Sequence, residues 1–306
     1  MFFRQLEYVV ALAREQHFVR AAQSCSVSQP ALSEGIRKLE EELDVSIIRR
    51  GNKFEGLTAE GLAIVVWARR ILADRDGLKE EIGAMRAGLS GRLRFGSVPT
   101  ASIAVSLLTA PFCAMHPLAR VQAVSDLRSE DVLRKLQNYE IDAGITYVQD
   151  PLPDEFQVAR LYLEKYVLLT AGGAGTGTRP ATWAAAAALP LCLLDPVMQG
   201  RQRLDDIFAE VGVMPSPRVE TDSVSSLFAL VSTGSWATVL PSAWLHVFGV
   251  PAGMTAAPLT EPERAIPVGL VTLARKPGSV MARALTAMSW ETDLTFLEHL
   301  PREQAP

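Results

Sequence analysis

Two short amphipathic helical patterns meet at a polar break near residue 26 of this 306-residue chain. The first pattern places four small or apolar side chains on one helix face, namely Phe18, Ala21, Ala22 and Cys25. The second pattern opens at Ser28 or Gln29 and has Pro30 in its first turn, where a missing N–H removes no hydrogen bond. It turns a second apolar face to the interior, made of Leu32, Ile36, Leu39 and Leu43. The two patterns predict a helix-turn-helix at about residues 18–37.

The polar face of the second helix carries residue types that read DNA. A helix seated in the major groove needs short hydroxyls, amides and forked cations aimed at base edges and phosphates. An apolar helix face at residues 3–13 precedes the motif, and a basic turn between two short strands at residues 47–57 follows it as a wing. On the helix pattern alone, a small helical bundle of an unrelated protein is the alternative, and the wing argues against it. The candidate DNA-binding residues are Arg20, Ser28, Gln29, Pro30, Ser33, Arg37 and Lys38 of the helices and Arg50 and Lys53 of the wing.

A long helix is predicted from Thr58, its N-cap, to about Ala87. Such a helix would be on the order of 45 Å long, which is too long for one small domain to bury. We therefore expect it to pair with its copy in a second subunit through an apolar stripe at Leu62, Val65, Leu72 and Leu78. Packing across its own chain is the alternative. Gly88, Ser90 and Gly91 end the helix and mark a hinge.

Strands and helices alternate after residue 91. The pattern predicts strands at residues 92–98, 121–124 and 141–145, followed by a second series at 166–170, 191–194, 218–221 and 238–240. Helical patterns lie between these strands, and a last strand at 267–273 precedes a closing helix at 279–299. Alternation of this kind predicts two α/β units, each with a parallel sheet covered by helices on both faces.

Three N-terminal segments, FRQLEYVVALAREQHF, RAAQSCSVSQPALSEGIRKLEEEL and GLTAEG, resemble the DNA-binding domain of the LysR-type transcriptional regulators, without a gap from about Phe3 to Gly61. The resemblance implies an α and α/β fold class in three parts. These are a winged helix-turn-helix (residues 1–58), a linker and dimerisation helix (59–90) and a two-lobed effector-binding domain of periplasmic-binding-protein type (91–306). Lobe I is expected at about 91–163 and 265–306, and lobe II at about 164–264.

Polar residues at strand ends mark a candidate effector cleft. Ligands of open α/β sheets lie outside the carboxyl ends of the strands, where helix N-termini present free N–H groups. In relatives, residues that match Thr100 and Ser129 line the effector site. The candidates are Pro99, Thr100, Ser102, Ser129, Thr146, Asp195, Gln199, Arg201, Thr221 and Ser223. Any one of them also fits an ordinary helix cap or turn, and we expect Arg201 to be a solvated surface residue rather than a ligand.

The charge of the chain changes the expected mode of DNA binding. A net charge of −4 and a pI of 5.7 lack the basic excess of many nucleic-acid binders, so affinity should rest on a few placed contacts and on dimerisation. Hydroxyls and helix N-termini at the cleft predict a small anionic effector, a carboxylate or similar oxyanion. The N-terminus lacks a secretory signal pattern and no apolar run is long enough to cross a bilayer, which predicts a cytoplasmic protein with no membrane partner.

The reactive residues do not form an enzyme's signature. The four histidines lack metal-ligand spacing, and no nucleophile motif occurs, so we predict no catalysis, metal or cofactor. The three cysteines are scattered and should be reduced core residues. The predicted function is a ligand-responsive regulator that binds promoter DNA as a homodimer or homotetramer, with RNA polymerase as a further expected partner. Two alternatives are a redox-responsive regulator that uses Cys113 and Cys192, and a cytoplasmic solute-binding protein.

Overall fold

A computed structural model describes residues 1–49, 54–148, 151–172, 175–176, 179–275 and 278–301. The chain divides into two compact units, one made of residues 1–88 and 278–280 and the other of the remaining residues. No helix in the described ranges is both long enough and apolar enough to span a membrane.

Four helices build the first unit, at the positions that the hydrophobic pattern predicts. They are α1 (Phe3–Glu15), α2 (Phe18–Ser24), α3 (Gln29–Leu43) and α4 (Ala59–Ala87). Helix α3 begins as expected, since the Ser28 hydroxyl accepts a hydrogen bond from the Ala31 N–H at 3.4 Å. The Thr58 hydroxyl caps α4 in the same way by accepting from the Gly61 N–H at 2.9 Å. Local side-chain caps therefore set where both helices start.

The apolar faces of α1, α2 and α3 close over one core together with the first turns of α4. Its most deeply buried members include Leu12, Leu32, Ile36, Leu39 and Ile47. Leu43 does not join them, although the pattern predicts it to be buried, because it is 41% exposed. It is the last residue of α3 and extends beyond the core to the rim of an apolar depression that Leu6 and Trp67 also line.

The predicted wing is smaller than two strands in the part of the chain that the structure describes. One antiparallel bridge joins Ile48 to Leu57, and the Arg49 N–H donates to the Gly56 carbonyl at 3.1 Å. Among the described residues, this single bridged pair is too short a ladder to count as a hairpin of two strands. The predicted DNA contacts Arg50 and Lys53 lie outside the described residues.

The apolar positions of α4 do not form the single stripe that we predict. Val65 is buried in the core of the first unit, and Leu72 packs against that core. Leu62 and Leu78 are instead 58% and 63% exposed. At about 100° per residue, Leu78 lies roughly 120° around the helix from Leu72, so the two cannot share one face. Val65 therefore packs within its own chain, and exposed positions such as Leu62 and Leu78 remain open to a second subunit.

Twelve strands and seven helices are described in the second unit. The strands are β1 (Ser90–Ser97), β2 (Leu118–Val124), β3 (Ala143–Tyr147), β4 (Phe156–Glu164), β5 (Tyr166–Ala171), β6 (Gly175–Thr176), β7 (Ala181–Thr182), β8 (Cys192–Leu194), β9 (Val219–Thr221), β10 (Ala237–Pro241), β11 (Met254–Thr260) and β12 (Ile266–Leu273). The helices are α5 (Ser102–Met115), α6 (Ser129–Gln137), α7 (Trp183–Ala187), α8 (Gln199–Glu210), α9 (Val224–Ser232), α10 (Ala243–Phe248) and α11 (Val280–Glu291).

Lobe I is built on a sheet with the strand order β2-β1-β3-β12-β4. Strand β1 pairs in parallel with β2 and β3, as the alternating pattern predicts. Strand β12, however, runs antiparallel to both β3 and β4. The predicted all-parallel sheet is therefore wrong, because β12 enters the sheet only when the chain returns from lobe II, and no helical crossover dictates a parallel direction there.

Lobe II is also mixed in strand direction. Its main sheet has the order β10-β5-β11-β6, in which β10 and β11 are antiparallel to β5. The parallel pair β8-β9 joins this sheet through a bridge between Leu191 and Ala237. Trp183 of α7 and Phe208 of α8 fill the core with an edge-to-face contact at a centroid distance of 5.2 Å.

The sequence pattern misses β4, β6, β7, α10 and β11 and makes the last helix too long. Helix α11 ends at Glu291, and a separate 3-10 turn follows at Thr295–Glu298. Between them, the Asp293 carboxylate accepts from the backbone N–H and the hydroxyl of Thr295, at 2.9 and 2.7 Å. Side chains of this kind offer the backbone an alternative to the helical bond, and this stops the predicted 279–299 helix early.

Candidate functional site

The exposed face of α3 presents the residues that the sequence predicts to contact DNA. Gln29, Ser33 and Arg37 lie one turn apart, and Gln29 Nε2 donates to Ser33 Oγ at 3.1 Å. Pro30 is exposed in the first turn, next to the capping Ser28. The opposite face is buried in the core of the first unit. Helix α3 therefore has an apolar face against its scaffold and a polar face open to a ligand.

Arg37 is held by two carboxylates of its own helix. Its guanidinium donates to both oxygens of Glu34, at 2.7 and 2.8 Å, and also to Glu41. The bonds to Glu34 raise the pKa of Arg37 further above its usual range and lower the pKa of Glu34. Lys38 lies 3.7 Å from the same Glu34 carboxylate. A nucleic acid that binds here must exchange these local partners for its own.

Arg20 lies on α2 and is exposed. Its Nη2 donates to the Glu15 carbonyl at the end of α1, at 2.7 Å. This bond ties α2 to α1 and leaves the outer side of the guanidinium open to solvent.

Three predicted cleft residues meet at the carboxyl ends of the strands. Thr146 of β3 donates through its hydroxyl to Ser129 Oγ, at the first residue of α6. Ser129 in turn donates to Oε1 of Gln199, the first residue of α8. Ser129 and Thr146 belong to lobe I, and Gln199 belongs to lobe II. This chain of bonds therefore joins the two lobes.

Thr100 forms a second contact between the lobes. It lies in the 3-10 turn Pro99–Ala101, which follows β1, and its Oγ1 is 2.8 Å from the Tyr147 hydroxyl. A Cβ atom added to Gly200 of α8 would lie 2.9 Å from Thr100 Cγ2 and 3.1 Å from that hydroxyl. Only glycine allows the backbone of α8 to approach lobe I this closely. The indole N–H of Trp244 completes the contact by donating to the Thr100 carbonyl at 3.0 Å.

A buried acid lies beneath Thr100. The hydroxyls of Tyr147 and Tyr166 donate to Glu164 Oε1, at 2.8 and 2.9 Å. Burial raises the pKa of Glu164 to about 7, although both phenol bonds act to lower it. Burial also raises the pKa of both tyrosines well above their usual value. Tyr147, Glu164 and Gly200 are not among the predicted site residues. Two of them had a signal in the sequence, since Tyr147 follows Thr146 at a strand end and Gly200 lies between Gln199 and Arg201.

Arg201 is not the solvated surface residue that we expect. It is 6% exposed, and its guanidinium donates to the Leu194 carbonyl at 2.7 Å and to Glu220 and Asp205 at 2.9 Å each. The physical reason is that α8 begins at Gln199, which sets Arg201 in its first turn against β8 and β9. Its N–H donors are bonded to groups of the protein itself, and these bonds hold the first turn of α8, which carries Gln199.

The remaining candidates make short-range turn contacts. Asp195 accepts from the Val197 N–H at 2.9 Å, and the Thr221 hydroxyl accepts from the Ser223 N–H at 3.2 Å. Ser102 donates to the Pro99 carbonyl at 2.9 Å. These are ordinary cap and turn contacts, which are the alternative to ligand binding at each of these positions.

All three cysteines are free thiols. Cys192 is buried in β8 and donates through its sulfur to the Ala237 carbonyl at 3.5 Å. Burial raises the pKa of Cys192, and also that of the half-buried Cys25. Cys113 is half-buried on α5 of lobe I, whereas Cys192 belongs to lobe II.

The two units together define a class of protein: a DNA-binding regulator that carries a two-lobed ligand-binding domain. Two family models agree with this. The bacterial regulatory helix-turn-helix protein, lysR family, matches residues 3–62, and the LysR substrate binding domain matches residues 86–292. The chain belongs to the LysR family of transcriptional regulators. This confirms the predicted fold class, favours a regulator over a solute-binding protein, and confirms the prediction that the chain is not an enzyme.

Relatives span nearly the whole chain. The DNA-binding transcriptional dual regulator OxyR of Escherichia coli (strain K12) is 28% identical over 303 residues, which cover 91% of this chain and 90% of that protein. Full-length OxyR from Pseudomonas aeruginosa superposes with a TM-score of 0.74 at 25% identity, covering 100% of this chain and 99% of that one. Full-length CbnR in complex with its target DNA shares the fold, with a TM-score of 0.66, 20% identity and coverage of 95% and 99%.

Proposed function

We propose that this regulator responds to a small anion, a carboxylate or similar oxyanion, held between its two lobes. The observation that carries the proposal is the contact of Ser129 with Gln199, which Thr146 extends. At this point the amide oxygen of one lobe is the acceptor for a hydroxyl at a helix N-terminus of the other. A carboxylate oxygen is a stronger acceptor than an amide oxygen, and a helix N-terminus favours negative charge. An anionic effector would therefore displace Gln199 from Ser129.

Hydroxyls rather than a cation would hold this anion. Thr100 supplies a second hydroxyl, while Arg201 already bonds to Asp205 and Glu220 and so acts by positioning Gln199. The walls of the cleft in this proposal are formed by Pro99, Ser102, Asp195, Thr221 and Ser223.

On DNA, the proposal assigns the major groove to the exposed face of α3. Gln29, Ser33 and Arg37 would contact base edges, and Arg20, Ser28 and Lys38 would contact the phosphate backbone. Arg50 and Lys53 of the wing would lie on phosphates or in the minor groove, and Pro30 would make van der Waals contact with the DNA. The proposed boundaries are residues 1–58 for DNA binding, 59–90 for the linker helix and 91–306 for the effector domain. The proposed assembly is a homodimer or homotetramer that acts on RNA polymerase in the cytoplasm.

A thermal-shift screen of the full-length protein with carboxylates, neutral amides and amines tests the anionic effector. A carboxylate at a hundredfold excess over its Kd should stabilise the protein by about 2.7 kcal/mol. Ser129→Ala and Thr100→Val should abolish this shift, whereas Ser106→Ala, which removes an exposed hydroxyl of α5, should keep it. The proposal fails if both cleft variants respond as the wild type does, or if only cationic or apolar compounds stabilise the protein.

A response to hydrogen peroxide is the second candidate function. It is favoured by relatives such as the hydrogen peroxide-inducible genes activator of Dickeya chrysanthemi, which is 28% identical over 290 residues. The raised pKa of Cys192 opposes it, because the thiolate is the form that reacts. Mobility-shift assays with and without peroxide decide between the two. A peroxide effect that disappears in Cys192→Ser or Cys113→Ser would establish the redox function instead.

A further inference from the structure

A buried carboxyl that the proposed effector contacts do not use lies at the crossing between the lobes. Glu164 is the last residue of β4, and β5 of lobe II begins two residues later. The side chain is 1% exposed. Its Oε1 accepts from Tyr147 and Tyr166, whereas its Oε2 has no hydrogen-bond partner in the described structure. A buried carboxylate with one oxygen unpaired is costly, so the neutral acid is favoured at this position.

Two hydrogen bonds connect this carboxyl to the cleft. Thr100 Oγ1 is 2.8 Å from the Tyr147 hydroxyl, which donates to Glu164 Oε1, also at 2.8 Å. An anion bound to the Thr100 hydroxyl would thus be separated from Glu164 by three hydrogen bonds, its own to Thr100 and these two. In a buried environment, where charges are weakly screened, two negative charges at this separation repel each other strongly.

The groups that face Glu164 offer no compensating cation in the described part of the chain. They are three phenols, Tyr147 of β3, Tyr162 of β4 and Tyr166 of β5, and the Tyr162 hydroxyl is also buried without a partner. The paired strand β12 contains no ionisable residue. The ionisable side chains of adjoining elements bond to groups other than Glu164 or are exposed. Lys165 bonds to Glu263, and Glu298 accepts from the Leu163 N–H. His246 bonds to the His299 carbonyl, Arg201 bonds to Asp205 and Glu220, and Arg160 is exposed.

We propose that Glu164 is a specificity-determining residue of the effector site, which takes up a proton when an anion binds, so that the cleft accepts negative charge only while this carboxyl is neutral. The inference rests on the anionic effector proposed above. Its titration range is physiological, because burial raises the pKa of Glu164 to about 7. Above that pH one proton must be taken up for each anion bound, and the affinity then falls by as much as tenfold per pH unit.

Acetate is a suitable probe, since its charge is constant from pH 6 to 9, and acetamide is a neutral compound of the same shape. Binding of each to the full-length protein is measured by titration calorimetry or NMR across this range. In the wild type, acetate affinity should fall about tenfold between pH 7 and pH 8.5, and in Glu164→Gln it should stay constant. Acetamide should show no pH dependence in either protein. The matched control Glu263→Gln removes an exposed acid at the same crossing and should keep the wild-type slope.

A second variant and a measurement without ligand guard against misfolding. Tyr147→Phe removes one of the two bonds that lower the pKa of Glu164, so the fall in acetate affinity should begin at a higher pH. Urea unfolding of the free proteins should show that the wild type loses stability relative to Glu164→Gln as pH rises from 5 to 8. Parallel unfolding profiles would overturn the titration of Glu164. If acetate affinity depends on pH equally in the wild type and in Glu164→Gln, the coupling between the anion and Glu164 is overturned, but the anionic effector is not. If acetate binds neither protein, the anionic effector and the coupling are both overturned.

Discussion

Gly200→Ala tests the close contact between the lobes. Gly200 is the second residue of α8, and an added Cβ would lie 2.9 Å from Thr100 Cγ2 and 3.1 Å from the Tyr147 hydroxyl. Neither neighbour moves easily, because both are buried, they bond to each other, and Trp244 bonds to the Thr100 backbone. The methyl group must therefore break this network or force α8 away from lobe I.

Two opposing effects determine the size of the change. Overpacking a well-filled site by one methyl costs about 1–3 kcal/mol. Alanine in place of glycine in a helix contributes up to about 1 kcal/mol in the other direction. The φ of Gly200 is one that alanine adopts freely, so no backbone strain adds to the cost. We expect a net loss of about 1–2 kcal/mol in the free energy of unfolding of the second unit.

Urea unfolding followed by tryptophan fluorescence reports on both units, because Trp183 is buried in the core of lobe II and Trp67 lies on α4 of the first unit. The matched control is Gly77→Ala in α4, where an added Cβ has nothing within 4 Å. That variant should gain about 0.5–1 kcal/mol from helix propensity alone. If Gly200→Ala raises the unfolding midpoint as Gly77→Ala does, then the lobes do not meet at Thr100 and the proposed cleft geometry is wrong.

Three further predictions concern DNA binding, assembly and pH. Arg37→Ala should weaken operator binding by about 1–3 kcal/mol in a mobility-shift titration and relax base preference, whereas Lys53→Ala should weaken all sequences alike and flatten the salt dependence. The double substitution Leu78→Glu and Met85→Glu at exposed positions of α4 should produce folded monomers in analytical ultracentrifugation that lack specific DNA binding; unchanged dimers would refute this interface. The pKa of Glu164 rises from 4.5 in the unfolded chain to about 7 in the folded one, so its contribution to stability is complete below about pH 4.5. About 3 kcal/mol of the free energy of unfolding should be lost as pH rises through 7. Glu164→Gln should remove this loss in urea titrations.

The helices of the first unit could be predicted because their determinants are local. An apolar repeat at helical spacing and a hydroxyl cap at Ser28 or Thr58 involve residues within a few positions of each other. The same logic identified Ser129, Thr146 and Gln199, since strand ends and helix starts can be located from short segments. Ser129 and Thr146 converge because β2 and β3 are both parallel to β1, and parallel strands place their carboxyl ends along one edge. Gln199 reaches them only through the contact between the lobes.

Elements without a strong local signal could not be predicted. Strand β11 reads MTAAPLT, where alanines and a proline stand in place of the β-branched residues that favour strands. It is a strand because β5 provides its hydrogen-bond partners from Met254 to Pro258. The direction of β12 is also a matter of the whole chain, since it depends on the return from lobe II.

The sequence by itself determined the helix-turn-helix, the long helix after it and the polar residues at the strand ends. Tertiary structure alone decided which of those polar groups are open to a ligand and which are consumed by the protein. Arg201 was expected in solvent but bonds to Glu220 and Asp205. Glu164 is shielded from water by three tyrosines, two of which lie on other strands. The reason is that the ionisation and availability of a polar group depend on water exclusion and on partners distant in sequence, which only the packed chain brings together.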